Sequence, residues 1–201
     1  MLEIRLLGKF AVTAHGRPVE LPLRAAQSLL AYLALTPGTP HRREQLIGLL
    51  WPEADEPSAR RNLRHSLWRL RKALGSPDVI LADDIVLTFD AAADYWLDTQ
   101  VVAHKLPAEA SADDLIAAVS VYGGELLPGF YDDWVMLERE RLQAAFEQKM
   151  GALLERLQAA GRWAEVLEWG EHWIAQGQTP LTHRFLPPSS VRSAEARTPP
   201  R

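Results

Sequence analysis

The segment from Pro57 to Gly75 has a pattern that fits one kind of regular structure, an amphipathic helix. At about 100° per residue, its apolar side chains fall on one narrow stripe: Ala59, Leu63, Leu67, Leu70 and Leu74. Asp55 and Glu56 precede the segment and Pro57 stands in its first turn, which is typical of helix starts. Gly75 is a typical C-terminal cap. The sequence therefore predicts a helix over 57–75 that packs its apolar stripe on a core.

The other side of this helix is strongly basic. Residues 57–75 contain six Lys or Arg residues and no Asp or Glu, in a chain whose net charge is −4. A solvated helix normally carries both signs, because opposite charges four residues apart attract each other. Arginine dominates the set, and its planar fork suits guanine edges and phosphates. We therefore expect this face to bind DNA. A solvated face, or a helix docked on an acidic partner, is the alternative.

The elements predicted around this helix follow the order of a winged helix-turn-helix. Three short runs before it have the composition of strands: 2–7, 10–14 and 19–21. Two helical patterns follow them, over 24–35 and 42–50. After Gly75, strands at 79–81 and 85–89 flank Ala82-Asp83-Asp84 as a hairpin. In such a fold the third helix enters the major groove and the hairpin lies beside it. The acidic hairpin tip argues against strong minor-groove contact.

From Asp98 onward the sequence is helical, and we place a domain boundary near residue 97. Helices are predicted over 98–105, 111–121, 132–158 and 161–176. The third of them has an apolar side made of Trp134, Leu137, Leu142, Phe146, Met150, Leu153 and Leu157. The tryptophans of the last one are expected in the core: Trp163, Trp169 and Trp173. Residues 178–201 are rich in proline, which predicts a disordered tail.

These segments resemble the SARP-type transcriptional activators of bacteria. The stretches LRAAQSLLAYLAL and REQLIGLLWPEADEPSARRNLRHSLWRLRKALG, with the hairpin after them, resemble an OmpR/PhoB-type winged helix. YGGELLPGFYDDWVMLERERLQ, from Tyr122 to Gln143, resembles the bacterial transcriptional activator domain that follows it. The resemblance implies an α+β winged helix-turn-helix domain over 1–97. It implies an all-α, tetratricopeptide-like domain over 98–177, which we interpret as truncated.

The resemblance also implies which residues contact DNA. On the exposed face of helix 57–75, the matching positions are Arg61, Asn62, Arg64, His65, Arg69 and Arg71. Arg60 and Lys72 extend that cationic face. At the starts of the first two helices, the candidates for phosphate contacts are Arg24, Arg42 and Arg43. Trp68 is expected to pack under the hairpin, and the alternatives are a contact with sugar-phosphate or with a thymine methyl group.

The function that the resemblance implies is sequence-specific regulation of transcription, expected to be activation. Its expected partners are double-stranded promoter DNA with direct repeats, RNA polymerase, and a second copy of the chain through the helical domain. The rival reading is a protein-interaction adaptor whose winged helix does not bind DNA. The two differ in salt dependence, since neutralised phosphates make binding steeply sensitive to salt.

Several classes of function are disfavoured by what the sequence lacks. We find no dinucleotide-binding, phosphate-loop, zinc-protease or serine-hydrolase motif, so we expect no enzyme activity, no metal and no cofactor. The absence of cysteine excludes a disulfide framework. No apolar run approaches the roughly 20 residues that span a bilayer, and the first residues do not have the pattern of a signal peptide. The expected location is therefore the cytoplasm.

Overall fold

The structure is a computed structural model that describes residues 1–75 and 79–176. By its internal contacts the chain forms two compact units. The first unit consists of Met1–His104 and Val121–Gln143. The second consists of Lys105–Ser120 and the chain from Ala144 onward. Residues 121–143 thus belong to the same unit as the N-terminal part, while the domain division near residue 97 stays a prediction. The predicted tail over 178–201 lies outside the described residues.

The described strands and helices follow the predicted order. The strands are β1 (Leu2–Arg5), β2 (Ala11–Ala14), β3 (Arg17–Pro18), β4 (His41–Arg42), β5 (Ile80–Ala82), β6 (Val86–Phe89) and β7 (Tyr95–Leu97). The helices are α1 (Arg24–Leu35), α2 (Arg43–Leu50), α3 (Glu56–Leu74), α4 (Asp98–Ala103), α5 (Ala112–Val119), α6 (Asp133–Ala159) and α7 (Trp163–Ala175). Each predicted helix is present within a few residues of its predicted bounds. Two of the strands, β4 and β7, were not predicted.

An N-terminal sheet has the strand order β3-β2-β1-β7. Strand β1 pairs with β2 in antiparallel and with β7 in parallel, so that Ile4 lies beside both Val12 and Leu97. The third strand was predicted at 19–21, and that prediction is wrong. His15 and Gly16 both have positive φ, 50° and 76°, which closes a two-residue hairpin turn. Pairing therefore resumes directly at Arg17, opposite Ala14.

The three helices before the hairpin enclose the core of the winged domain. The predicted stripe of α3 is confirmed, since Ala59, Leu63, Leu67, Leu70 and Leu74 are all buried. Helix α1 contributes Leu29, Leu30 and Leu33, each 0% exposed. Burying a leucine side chain contributes about 1.5–3 kcal/mol, which fixes which face of α3 remains outside.

The predicted hairpin is confirmed, and a third strand joins it. Strands β5 and β6 pair in antiparallel with Ile80 opposite Phe89, and β4 adds to the other edge of β6. His41 and Arg42, predicted around the start of the second helix, form β4 before α2 begins. The predicted fold class is thereby confirmed as a winged helix-turn-helix followed by helices. We call β5, β6 and the turn between them the wing.

Residues 121–143 are attached to the extension of β1. The Gly8 N–H donates to the Glu125 carbonyl at 2.9 Å, and the Leu127 N–H donates to the Leu6 carbonyl at 2.8 Å. A Cβ on Gly8, whose φ is +75°, would lie 2.2 Å from the Gly123 carbonyl oxygen. Only glycine fits such an approach of two backbones.

Arg139 closes the loop before α6 in the same unit. Its guanidinium donates to the carbonyls of Leu126, Leu127 and Phe130 at 2.6–2.8 Å. Trp134 at the start of α6 is buried and its ring meets Tyr32 edge-on. Leu137 departs from the predicted apolar side of this helix, because it is 68% exposed.

Asp98 starts α4 and is buried at the end of β7. Its Oδ2 accepts hydrogen bonds from the N–H groups of Leu6 and Leu7 at 2.8 and 2.9 Å, and Oδ1 accepts one from Thr99 at 2.7 Å. Burial raises the pKa of Asp98, and these hydrogen bonds oppose the rise without cancelling it. The carboxyl group thus satisfies three buried donors where β1 leaves the sheet.

The second unit has a small helical core of its own. Ser111 caps α5, because its Oγ accepts from the Asp114 N–H at 3.1 Å while Asp114 accepts from the Ser111 N–H. The predicted core positions of α6 in this unit are confirmed as buried: Phe146, Met150, Leu153 and Leu157. Of the three tryptophans of α7, Trp173 is buried and the other two are half-buried.

Candidate nucleic-acid interface

Helix α3 is capped at both ends by the residues that the sequence predicts for this role. The Asp55 carboxylate accepts a hydrogen bond from the Ser58 N–H at 3.2 Å, and Gly75 ends the helix with φ 64°. Hydrogen bonds from Ser58 lower the pKa of Asp55. The carboxylate therefore stays charged at the positive end of the helix dipole, whereas Arg71 and Lys72 lie near the negative end. These caps and the buried stripe fix the orientation of α3.

The outward face of α3 carries most of the predicted contact residues. The exposed side chains are Arg60, Arg61, Arg64, His65, Trp68, Arg69 and Lys72. Asn62 and Arg71 are half-buried. Since no Asp or Glu occurs between Pro57 and Gly75, the exposed charge along this stretch of helix is all positive.

Some of these cations already have partners on the protein. Arg60 forms an exposed ion pair with Glu56 at 2.6 Å, and Arg61 donates to the Ser58 hydroxyl at 3.0 Å. Such exposed contacts on one helix are weak, about 0.3–0.5 kcal/mol, so a phosphate can displace them. Arg71 is held more firmly, because its guanidinium donates to the Ile80 carbonyl at 2.8 Å. Arg71 therefore fastens α3 to the wing, and its contact with DNA stays a prediction.

A cleft of about 680 Å³ lies between α2, α3 and the wing. Its cationic lining consists of Arg43, Arg60, Arg64, Arg71 and Lys72. Two hydrogen bonds to the turn of the wing position Arg43. Its side-chain Nε donates to the Asp83 carbonyl at 2.9 Å, and its backbone N–H donates to the Ile85 carbonyl. The structure thus brings one of the three predicted phosphate-contact residues beside α3.

The other two predicted phosphate-contact residues lie outside this cleft. Arg24 donates to the Gly129 carbonyl at 2.8 Å and its guanidinium lies over the Phe130 ring, 4.3 Å from the ring centre. It therefore has a structural partner that the sequence did not reveal. Arg42 is exposed at the end of β4, and its N–H donates to Gln45 Oε1 at 3.3 Å. Neither lines the cleft, and their contact with DNA stays a prediction.

The two acidic residues of the wing tip have different roles. The Asp83 carboxylate accepts from the N–H groups of Val86 and Ile85, both at 2.7 Å. These bonds lower its pKa and close the turn. Asp84 is exposed and lines the cleft opposite the cations of α3. Asp83 thus stabilises the turn, whereas Asp84 is available to repel an anion.

Trp68 does not pack under the wing, so that expectation is wrong. Its side chain is 53% exposed on the cationic face of α3. The ring of His65 stacks beside it, with centres 6.2 Å apart and planes 17° apart. The signal was present in the helical phase, because Trp68 lies roughly 140° from Leu63 at 100° per residue.

The described residues do not contain the features of two other kinds of site. In residues 1–75 and 79–176 there is no group of three or more His, Cys, Asp or Glu side chains that could hold a metal ion. Across the same ranges, no helix has both the length and the apolar character to cross a membrane.

The fold and this surface define a winged helix-turn-helix protein with a basic third helix. Among solved structures, the chain is similar to EmbR of Mycobacterium tuberculosis in complex with a low-affinity phosphopeptide, with a TM-score of 0.74 and 24% sequence identity. The match covers 88% of this chain and 50% of that chain, so this chain spans about half the length of that protein. At this identity the likeness shows the fold alone. No family model and no curated protein matches the sequence.

Proposed function

We propose that the protein is a sequence-specific regulator of transcription that reads double-stranded DNA with the outward face of α3. The observation that carries this proposal is the acid-free cationic face of α3, exposed beside a cationic cleft. A face of like charges is unfavourable in isolation and becomes favourable when phosphates neutralise it. A helix of this kind in a winged domain has the shape to enter the major groove.

The contacts divide by their geometry into two proposed classes. Arg61, Arg64 and Arg69 lie on the exposed face and are proposed to reach bases or phosphates of the major groove. Arg43 and Lys72 line the cleft beside α3 and are proposed to hold a phosphate. Since base contacts give specificity and phosphate contacts give register, both classes are needed for a sequence-specific regulator.

The finer parts of the proposal rest on the resemblance to SARP-type activators. They are activation of transcription, a cytoplasmic location, binding to direct repeats, and use of the helical part to contact RNA polymerase or a second copy of the chain. Exposed apolar side chains in residues 121–143, notably Tyr131 at 77% and Leu137 at 68%, are compatible with a protein partner. The same side chains would serve an adaptor that binds protein only.

A salt titration separates these two functions. The full chain is titrated against labelled duplex DNA from upstream of its own gene, with fluorescence polarisation at about 50 and 200 mM salt. About six phosphate contacts predict a slope near −5 in a plot of log affinity against log salt. Absence of binding at about 50 mM salt, with the protein folded by circular dichroism, would contradict the proposal and favour the adaptor.

Removal of the wing-tip charge is expected to strengthen DNA binding. Asp84 lies in the cleft opposite cations and repels the phosphate backbone, so Asp84→Asn should raise affinity roughly threefold at low salt. The gain should shrink at about 200 mM salt, where charges separated by more than about 8 Å are screened. Polarisation titrations measure both values.

Glu109→Gln is the matched control for this change. Glu109 is an exposed acid of the second unit, and its replacement alters net charge by the same amount. Equal gains in the two variants would show that overall charge, rather than the position of Asp84, sets the affinity.

A further inference from the structure

One apolar side chain of α3 is not used by the core. Every leucine of α3 is at least 93% buried, whereas Trp68 is 53% exposed and lies between the exposed Arg64 and Lys72, one turn away on either side. Solvent exposure of an indole is unfavourable, because apolar surface in contact with water costs about 25 cal/mol per Å². A large apolar group at the centre of a cationic face therefore suggests an apolar contact with the same ligand.

The ring of Trp68 is held in place by its neighbours on the helix. The Lys72 ammonium lies over the ring at 5.0 Å from its centre, and the Arg69 guanidinium at 5.5 Å. His65 stacks on it, and Arg69 Nε donates to His65 Nε2 at 3.2 Å. Cation–π contacts of this kind contribute about 0.5–1 kcal/mol at exposed sites. They restrict the rotamers of the indole before any ligand arrives.

The major groove offers one apolar group to such a side chain. Guanine, adenine and cytosine present hydrogen-bond donors and acceptors there, whereas thymine adds its C5 methyl group. An indole pressed against donors or acceptors would displace water from them without replacing the hydrogen bonds, which is costly. Against a methyl group it loses nothing polar and buries apolar surface on both sides.

We propose that Trp68 recognises the C5 methyl group of a thymine in the bound duplex. This inference rests on the proposed function, since it requires α3 to lie in the major groove. Arg64 and Lys72 would take polar base atoms or phosphates on either side of that thymine. Trp68 then adds specificity at one base pair to the specificity of the base contacts proposed for the arginines of α3.

Uracil in place of thymine tests the contact directly, because it removes only the methyl group. Duplexes that bind the full chain are first selected from a random-sequence library. Each thymine of a selected site is then replaced in turn by uracil, and affinity is measured by polarisation at about 50 mM salt, where phosphate contacts keep weakened variants bound. One position should lose affinity about fourfold, the value of one buried methyl group. In Trp68→Ala the same replacement should have no effect.

Ile85→Ala is the matched control, since Ile85 is an exposed apolar side chain of the wing, at 63%. This variant should keep the uracil effect. If the uracil effect is lost in Ile85→Ala but persists in Trp68→Ala, the inference is overturned and the methyl group contacts the wing instead. If uracil has no effect at any position, the inference is also overturned. If Trp68→Ala weakens the binding of all duplexes equally, the indole contacts sugar rather than a base, which overturns the inference as well. No duplex bound at all would overturn the proposed function, and this inference with it.

Discussion

Replacement of Arg61 and Arg64 together by alanine is expected to abolish sequence-specific DNA binding while the fold stays intact. Each arginine lies on the exposed face of α3, and a contact of this kind with a base contributes about 1–3 kcal/mol. The two losses together predict at least about thirtyfold weaker binding. Arg61 has one exposed contact within its own helix, to Ser58, so stability should change little. Polarisation measures the affinity, and thermal unfolding checks the fold.

The matched control removes two exposed arginines elsewhere in the same unit. Arg17 lies on β3 and Arg141 on α6, where Arg141 pairs with Glu138. Arg17→Ala with Arg141→Ala changes net charge equally, yet should lower affinity only a few-fold through the overall field. Retained tight binding in the Arg61 and Arg64 double variant would show that a different surface holds the DNA. Equal loss in both double variants would show that binding depends on total charge alone.

The helices and their faces could be predicted because their signals are local. The period of the leucines fixed the inward face of α3, and Asp55 and Gly75 fixed its ends. The exposure of Arg61, Arg64 and Lys72 follows from that phase. Local signals of this kind need no knowledge of which distant segment supplies the core.

Pairings between distant segments could not be predicted in the same way. Strand β7 is short, and it exists because Tyr95–Leu97 lies beside β1, more than ninety residues earlier in the chain. The partner of Arg24 is Gly129, in a loop whose position depends on the approach of Gly8 to Gly123. The hydrogen bond from Arg71 to Ile80 likewise depends on where the wing folds back. Sequence composition contains no signal for these distances.

Two of the errors have simpler causes. The third strand was predicted to begin at Val19, but positive φ at both His15 and Gly16 completes the turn two residues earlier. Trp68 was expected to be packed because large aromatic side chains are usually buried. The position of Trp68 around the helix had already indicated the outward face. When a helix packs through a single apolar stripe, this position determines the burial of a side chain more strongly than its residue type does.

Replacement of Asp98 by alanine is expected to destabilise the first unit by roughly 3 kcal/mol or more. The variant would leave three buried N–H groups without an acceptor, those of Leu6, Leu7 and Thr99, and each such group costs about 1–3 kcal/mol. Asp98→Asn should cost less, because an amide oxygen can still accept from two of them. Urea unfolding followed by tryptophan fluorescence measures both losses.

Asp94→Ala provides the control for this change, since Asp94 is an exposed acid whose side chain pairs with the N-terminal ammonium at 2.7 Å. Exposed ion pairs contribute about 0–1 kcal/mol, so this variant should unfold near the wild-type midpoint. A similarly small effect of Asp98→Ala would mean that water satisfies the three donors, and that the carboxyl group does not hold β1 to α4.

The pH dependence gives a second test of the same contact. Because burial raises the pKa of Asp98, the folded protein holds its proton more tightly than the unfolded chain does. The stabilisation from Asp98 is then fully present below the ordinary carboxyl pKa and declines as the pH rises through the raised value. The stability difference between wild type and Asp98→Ala should therefore widen as the pH falls from neutral. A difference that narrows instead would show that the three hydrogen bonds outweigh burial and keep the carboxylate charged.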